Sequence, residues 1–235
     1  MDCSCKFSTR NRFEGLPDDL SPRILSGFSK TDLHSILSVS RHQQFVAPSV
    51  VVHQGDAAER MFLLTSGQGA HFVITNEGRK VLLHWLTAGQ IFGGATMLSV
   101  PSHYLASAEM QTNSCALVWD RRIIRELISR FPLLLDNALS IATTEHIAWL
   151  MSARVSLGTE DARVRIARLL VSLASGIGKS CPDGIEIQVG NDDLASGANV
   201  TPYTVSRSLG EWQRDGILTK RRGKVVLHRA ELLLA

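Results

Sequence analysis

The sequence predicts an α+β fold made of an N-terminal antiparallel β-roll of jelly-roll type, a long helix and a C-terminal winged helix-turn-helix. Three observations support this prediction. Short apolar runs punctuated by glycines occupy residues 28–118, a helical periodicity runs over 121–157, and helical segments with a basic hairpin end the chain. We therefore expect an N-terminal extension (1–27), a β-roll (28–120), a linker with the long helix (121–157) and a winged helix-turn-helix domain (158–235).

Composition sets broad limits on the protein. The 235-residue chain is 44% hydrophobic and 20% charged, so it can bury at least one substantial core. Its first residues lack the apolar run of a signal peptide and no later stretch has the length of a membrane span, so we expect a cytoplasmic protein. The four cysteines, Cys3, Cys5, Cys115 and Cys181, are too scattered for a disulfide scaffold. We expect free thiols, ligands or redox-active residues.

The β-roll is predicted from the spacing of its apolar runs. They recur at roughly ten-residue intervals, which is typical of an antiparallel barrel or sandwich. Between two of them, the segment TNEGRK at 75–80 predicts a hairpin turn, because Asn76 and Gly78 both tolerate a positive φ.

The long helix carries two apolar stripes. One stripe recurs every seven residues, and a second, which includes Leu135 and Ala138, lies on another face. One stripe can pack on the roll and leave the other for a partner helix, although a core helix could bury both within one subunit. The candidate dimer-interface residues are Leu134, Ile141, Thr144, Ala148, Met151 and Val155. The segment SLGTED at 156–161 then starts another helix, with Thr159 as the expected N-cap.

The segment NDDLASGANVTPYTVSRSLGEW fits a helix-turn-helix. Asn191 or Asp192 is expected to cap the first helix, whose buried side would carry Leu194 and Ala198. Asn199 occupies the turn, where a left-handed backbone conformation is needed. The pattern therefore predicts two helices separated by a tight turn.

In the second helix of this motif, Thr201 is the expected cap and Pro202 the first residue. A buried face is predicted at positions i, i+4 and i+7, namely Val205, Leu209 and Trp212. The opposite face can enter the DNA major groove, with Arg207 donating two hydrogen bonds to guanine and Ser206 contacting a base or a phosphate. The candidate DNA contacts on this helix are Thr201, Pro202, Tyr203, Ser206 and Arg207. An ordinary helical hairpin with a solvated polar face would show the same pattern.

A basic hairpin follows in the segment TKRRGKVVLH. Its cations, Lys220, Arg221, Arg222 and Lys224, cluster about a turn at Arg222-Gly223. Residues 201–229 carry a net charge of +5, whereas the whole chain carries +3. A local excess of this kind is expected where phosphates are neutralised, so we expect the hairpin to be a wing that grips double-stranded DNA.

The order of these parts resembles the cAMP receptor protein/FNR superfamily of bacterial transcription regulators. The resemblance covers nearly the whole chain from about Phe28 and is carried by VVHQGDAAERMFLLTSGQGAHFVITNEGRKVLLHWLTAGQIFGG in the roll and TPYTVSRSL in the recognition helix. It implies a cyclic-nucleotide-binding-like roll and a homodimer zipped along the 132–155 helix on a two-fold-symmetric DNA site. It also implies a signal relayed near 156–161, and contact with RNA polymerase if the protein is an activator.

Two departures from the family pattern bear on mechanism. Members that bind a cyclic nucleotide hold it with a glycine-glutamate pair and an arginine-serine pair, whereas this chain has Gly93 followed by Gly94 and no Lys or Arg in 81–120. A buried phosphate would lack its cation, so we do not expect cyclic AMP as the effector. In the recognition helix, Tyr203 stands where FNR-type proteins have glutamate, which predicts an altered half-site.

The effector and its binding residues are left open by the sequence. Superfamily members that hold an iron-sulfur cluster use several N-terminal cysteines, whereas this chain has Cys3 and Cys5 together with Cys115. Eight scattered histidines leave haem open, and Cys181 could respond to oxidation. A small organic ligand in the roll, or no ligand at all, would also fit the sequence.

Two further classes of protein compete with a regulator. A cupin-like metal enzyme would need a His-x-His pair, which the sequence lacks, so we expect no enzyme and no metal site. A non-specific architectural DNA binder would bind mixed sequences almost equally, with a steep salt dependence.

Overall fold

The computed structural model describes residues 16–17 and 20–234. The chain divides into two compact units. The first comprises residues up to Ile74 together with Leu83–Ala148, and the second comprises Thr75–Leu82 and Trp149–Ala235. Within the described residues, no helix is long and apolar enough to cross a membrane.

The first part of the chain forms the predicted β-roll. Its two antiparallel four-stranded sheets have the strand orders β1-β8-β3-β6 and β2-β7-β4-β5. The strands are β1 (Arg41–Phe45), β2 (Ser49–Val52), β3 (Arg60–Ser66), β4 (Gln68–Ile74), β5 (Lys80–Thr87), β6 (Ile91–Phe92), β7 (Ser107–Met110) and β8 (Ser114–Asp120). The fold class predicted from the sequence is confirmed.

Both faces of the central strand β3 are buried. Phe62 and Leu64 point into the interior of the roll, where Phe62 stacks on Phe92 with 4.5 Å between ring centroids. Met61 and Leu63 belong to a second core, together with Trp119 of β8. Because successive side chains of a strand point to opposite faces, β3 contributes to two cores at once.

The predicted hairpin at 75–80 connects β4 and β5. The amide of Thr75 donates to the carbonyl of Arg79 at 2.9 Å, and Gly78 takes a φ of +76°. Of the described non-glycine residues, Asn199 alone has a positive φ, so Asn76 does not use the conformation it tolerates.

Three helices of the first unit cover the second core. They are α1 (Lys30–Leu37), α2 (Arg121–Arg130) and α3 (Leu133–Ile141). The expected long helix is interrupted between α2 and α3, because Phe131 precedes a proline and leaves the helical region with φ −128° and ψ 77°. A π-helical segment, Ala142–Ile147, and then α4 (Ala148–Thr159) follow α3.

Two of the residues assigned to the dimer interface lie inside the subunit. Leu134 is 1% exposed and Ile141 is 8% exposed, and both belong to the core that contains Trp119 and Ile124. Their own subunit covers them, so they cannot make the partner contact expected of them. For this part of the helix the core interpretation is correct, because the first two residues of the stripe that repeats every seven residues pack inside their own subunit.

The start of the next helix also differs from the prediction. Helix α4 continues through Gly158 to Thr159, whose hydroxyl donates to the carbonyl of Val155 at 2.9 Å. Asp161 is the N-cap of α5 (Ala162–Ile177), and its carboxylate accepts from the amide of Val164 at 2.9 Å. Thr159 is therefore the last residue of one helix and does not cap the next.

The C-terminal part of the second unit is a winged helix. After α5 come β9 (Lys179–Cys181), β10 (Gly184–Gln188), α6 (Asn191–Gly197), α7 (Pro202–Arg214), β11 (Leu218–Arg221) and β12 (Lys224–Leu227), and a 3-10 turn at Ala230–Leu233 ends the described chain. The sheet has the order β11-β12-β10-β9. Helix α5 buries Ile166, Ala167, Leu170 and Leu173. This domain positions α7 and the β11-β12 hairpin.

Candidate nucleic-acid interface

Helix α6 is the first helix of the helix-turn-helix. Its N-cap is Gly190, with φ −88° and ψ 163°, and no side chain caps the helix. The expected cap at Asn191 or Asp192 is wrong, because both residues already lie in the first turn. The buried positions are as predicted, since Leu194 is 0% and Ala198 is 4% exposed.

The turn between α6 and α7 has the predicted left-handed residue. Asn199 has a φ of +49°, and the amide of Val200 closes the turn by donating to the carbonyl of Ala195 at 2.9 Å. Asparagine tolerates this conformation better than most residues with a Cβ atom, which is why it can replace glycine here.

Arg165 of α5 holds this turn in place, a role that no local pattern in the sequence indicates. Its Nε donates to the carbonyl of Ala198 at 2.9 Å and its Nη2 to the carbonyl of Asn199 at 3.3 Å. Its Nη1 donates to the carbonyl of Glu160 at 2.7 Å. One side chain thereby joins α5, the residues before it and the turn that orients α7.

Helix α7 begins as predicted. The hydroxyl of Thr201 accepts from the amide of Thr204 at 3.1 Å, and Pro202 takes the first helical position. The predicted buried face is confirmed, because Val205 and Leu209 are 0% exposed and Trp212 is 1% exposed. The cap and the proline therefore fix where this helix starts, and the buried face fixes its rotation about its own axis.

The opposite face of α7 is exposed and polar. Pro202, Tyr203, Ser206 and Arg207 are all exposed, and Tyr203 is 78% exposed. These residues lie in the first two turns of the helix, the part that contacts base edges when such a helix enters the major groove. The structure thus brings the predicted contact residues of α7 onto one surface.

An ion-pair network joins Arg207 to the body of the domain. The Nε of Arg207 donates to Oε1 of Glu211 at 3.0 Å, and Nη1 of Arg163 donates to Oε2 of the same carboxylate. The Arg163 guanidinium lies 4.8 Å from the centroid of the buried Trp212 ring. The hydrogen bond from Arg207, followed by the charge of Arg163, keeps the pKa of Glu211 below its usual value, so this carboxylate is ionised at neutral pH.

The wing is formed by β11 and β12, which pair from Leu218↔Leu227 to Arg221↔Lys224. Its turn lies at Arg222 and Gly223, as predicted, with Gly223 at a φ of +69°. Lys220, Arg221 and Arg222 are exposed, whereas Lys224 is partly buried. A cleft lies against this basic hairpin.

Acidic side chains of the same sheet hold part of this wing. The Nζ of Lys224 donates to Oε1 of Glu186 at 2.7 Å, and this bond is the main reason that the pKa of Glu186 lies below its usual value. Arg221 lies 4.0 Å from Asp183.

The interior of the roll is filled with apolar and aromatic side chains. The residues that fill it are Val52, Ala58, Phe62, Leu64, Leu86, Phe92, Tyr104, Ala108, Met110, Ala116 and Val118. Gly93 has a φ of +77°, and a Cβ atom there would lie 2.4 Å from the carbonyl oxygen of Arg60. At Gly94, where the family resemblance would place a glutamate, an added Cβ atom would have open space around it. Among the described buried residues, none is a lysine or an arginine.

Three histidines that are distant in sequence form a cluster beside this interior. Nδ1 of His71 lies 3.0 Å from Nε2 of His84, and the rings of His84 and His146 are 5.1 Å apart. Burial lowers the pKa of His71 to about 3 and that of His84 to about 4, and the neighbouring histidines add to both shifts. His84 and His146 line a small cleft, which is also lined by Arg23, a residue that precedes the roll in the chain. No set of three histidine, cysteine or acidic side chains in the described part of the chain is arranged to hold a metal ion.

The cysteines differ in their state. Cys3 and Cys5 lie outside the described residues. Cys115 is fully buried in β8 and is disulfide-bonded, so it is not a free thiol. Cys181 is a partly exposed free thiol on β9.

A capped helix with an exposed polar face, a basic wing beside it and a preceding jelly-roll domain define a transcription regulator that binds DNA through a winged helix-turn-helix. The comparisons with known proteins agree. Residues 42–131 match the cyclic nucleotide-binding domain and residues 164–235 match the Crp-like helix-turn-helix domain. The chain belongs to the cAMP receptor protein/FNR superfamily.

Curated relatives span most of the chain. The anaerobic regulatory protein of Bacillus subtilis is 24% identical over 213 residues, which cover 88% of this chain and 89% of the relative. The cyclic AMP receptor protein of Thermus thermophilus is 26% identical over 214 residues, 89% of this chain and 94% of the relative.

Solved structures share the fold. The global regulator CLP of Xanthomonas campestris aligns with a TM-score of 0.73 and 19% identity, over 85% of this chain and 99% of that one. FixK2 of Bradyrhizobium japonicum aligns with a TM-score of 0.71 and 18% identity, over 83% of this chain and 96% of that one.

Proposed function

We propose that the protein is a sequence-specific, homodimeric regulator that reads a two-fold-symmetric DNA site with the exposed face of α7 and responds to a signal other than cyclic AMP. The observation that carries this proposal is the pairing of a rigid, capped helix bearing Arg207 with a basic wing. Arg207 contributes base recognition, because a guanidinium can donate two hydrogen bonds to guanine. The wing cations contribute affinity that depends little on sequence.

The proposal of a homodimer rests on the exposed apolar residues of the segment before α5. On α4, Leu150 is 56%, Met151 is 65% and Val155 is 61% exposed. Ile147 is 49% exposed and Leu139 of α3 is 62% exposed. Apolar side chains at such spacing on a helix are typical of a face that a second helix covers. Met151 and Val155 remain candidate interface residues, with Thr144 and Ala148, which are also exposed.

The exclusion of cyclic AMP rests on the roll. Its interior is packed with apolar groups, and Gly94 supplies no carboxylate for a ribose hydroxyl. Arg23 lines the cleft outside this core. A cyclic phosphate placed in the core would be a buried charge without its counter-ion, which costs several kcal/mol.

Fluorescence anisotropy tests the DNA-binding proposal. The ligands are the tightest duplex recovered from a randomised pool and a scrambled duplex of the same composition, each titrated over a range of salt concentrations. Arg207→Ala should remove the preference for the selected duplex. The double variant Arg221→Ala/Arg222→Ala should bind both duplexes more weakly. The slope of the logarithm of its affinity against the logarithm of the salt concentration should fall by about one unit per lost phosphate contact. Arg122→Ala removes an 85% exposed arginine from the roll side of the chain and serves as the control. An unchanged preference in Arg207→Ala would refute the assigned role.

A thiol-based signal is a second candidate, because Cys115 is disulfide-bonded. Anisotropy with the selected duplex, before and after treatment with a thiol reductant, tests it. A change in affinity that is absent in Cys115→Ala would support redox control, and equal affinities would exclude it.

A further inference from the structure

Glu211 lies one helical turn after the proposed base-reading arginine and holds that arginine by one nitrogen. We propose that Glu211 is a positioning residue for Arg207, which it fixes so that the two terminal amino groups, Nη1 and Nη2, meet a guanine end-on, while Arg163 neutralises the carboxylate. This inference rests on the proposed function, since it requires that Arg207 contacts a base.

The geometry of the pair restricts the arginine. The Arg207 side chain is 71% exposed and would otherwise sample many rotamers, but its Nε donates to Oε1 of Glu211 at 3.0 Å. The two residues are spaced i, i+4, so the contact lies along one face of α7. A long side chain that is already fixed loses less conformational entropy when it binds.

The choice of nitrogen determines how the base is read. A guanidinium carries five N–H donors, one on Nε and two on each terminal nitrogen. Because Glu211 occupies the Nε donor, recognition of guanine O6 and N7 falls to the Nη1 and Nη2 groups. A side-on approach, in which Nε and one terminal nitrogen meet the base, would require the ion pair to break.

Arg163 compensates the negative charge of Glu211 on the helix that faces DNA. Its Nη1 donates to Oε2, so each oxygen of the Glu211 carboxylate holds a different arginine. The position of Arg163 is fixed in turn by the ring of Trp212, which is 1% exposed and 4.8 Å from the guanidinium carbon. An uncompensated carboxylate here would repel the phosphate backbone. The chain of contacts thus runs from the domain core to the base-reading group.

The proposal predicts opposite effects on two kinds of DNA. Replacing Glu211 removes a negative charge, so binding to scrambled DNA should become tighter, by roughly twofold or more at low salt. Binding to the selected duplex should not gain equally, because Arg207 is no longer fixed. The ratio of the two affinities should therefore fall by about tenfold, the lower end of the discrimination that one bidentate arginine provides.

The test is a double-mutant cycle in the full-length chain. Glu211→Gln, Arg207→Ala and the double variant are titrated against the selected and the scrambled duplex, and Glu231→Gln, on the C-terminal 3-10 turn, makes the same charge change as a control. Thermal melts of every variant report on folding. If Glu211 acts through Arg207, Glu211→Gln lowers the specificity ratio in the parent chain but not in the Arg207→Ala chain.

Two outcomes would overturn the inference, and they differ from the failure of the proposed function. If Glu211→Gln leaves the ratio unchanged while Arg207→Ala removes it, Glu211 is not a positioning residue. If Glu211→Gln weakens both duplexes equally and lowers the melting temperature, its role is structural only. If Arg207→Ala itself leaves the preference intact, the proposed function fails first.

Discussion

Replacing Arg165 with methionine tests whether this side chain fixes the recognition helix. Methionine keeps much of the aliphatic stem but removes the donors to the carbonyls of Ala198, Asn199 and Glu160. A hydrogen bond to a charged group contributes about 1.5–3 kcal/mol. The Asn199 carbonyl lies at an exposed position and can bind water instead. We therefore expect the loss of the three hydrogen bonds to lower the stability of this region by about 2–4 kcal/mol.

Amide hydrogen exchange measures this loss where it occurs. A loss of about 2 kcal/mol corresponds to roughly 30-fold faster exchange through local opening, at about 1.4 kcal/mol per factor of ten. The acceleration should include the amides of Val200 and Val205, which close the turn and the first turn of α7. The Arg165→Met variant should also bind every DNA sequence more weakly, because Arg165 no longer holds the turn that orients α7.

Arg168→Met is the matched control. Arg168 lies on the same helix and pairs with Glu160 at 2.6 Å, but its side chain is 60% exposed. The Glu160 side chain is 17% exposed, but the ion pair includes no group of α6 or α7, so this variant should leave exchange in α6 and α7 nearly unchanged. Equal exchange in Arg165→Met and the parent chain would refute the assigned role of Arg165.

Local geometry and burial lead to three further predictions. Because Asn199 has a φ of +49°, Asn199→Gly should leave stability nearly unchanged, whereas Asn199→Ala should destabilise the second unit by about 1 kcal/mol. Urea unfolding compares the two variants directly, and equal midpoints would contradict the reasoning. Thr201→Ala should lower the free energy of unfolding by about 1 kcal/mol and Thr201→Ser should change it little, because the hydroxyl caps α7. Equal stability of the two variants would contradict the capping role of Thr201. The first unit should lose stability in acid, because the pKa of His71 is about 3 and that of His84 about 4, so the unfolded chain, near 6.5, binds more protons. The contribution of the two histidines to the free energy of unfolding is complete above pH 6.5, and it falls by up to about 1.4 kcal/mol per pH unit for each histidine as the pH drops towards 4. Unfolding titrations at several pH values should detect this fall. His84→Gln should reduce the slope of unfolding free energy against pH, and an unchanged slope would contradict the burial of His84 in the neutral form.

Local signals in the sequence are enough to predict much of the second unit. The Thr201 cap, the Pro202 start, the left-handed Asn199 and the turn at Gly223 each depend on a few neighbouring residues. The buried face of α7 depends on helical periodicity alone. Sequence patterns therefore predict these features at the correct residues.

The features that sequence patterns miss depend on tertiary contacts. Arg165 contacts a turn more than 30 positions away, and the histidine cluster joins residues from β4, β5 and the π-helical segment. The repeat of Leu134 and Ile141 is the same whether the stripe meets the roll or a second subunit, so periodicity cannot separate the two arrangements. The prediction for Thr159 is wrong because the glycine at 158 suggests a helix end, although one exposed glycine costs only about 1 kcal/mol and α4 continues through it.

The most direct test of the account is selection of DNA sites from a randomised duplex pool by the full-length protein, with the number of chains per duplex measured by native mass spectrometry. The account predicts one enriched site with two inverted half-sites whose centres are about one helical turn apart, bound by two chains. It also predicts that Arg207→Ala abolishes enrichment of that site. Enrichment of no sequence, or of a site without two-fold symmetry bound by a single chain, would contradict it.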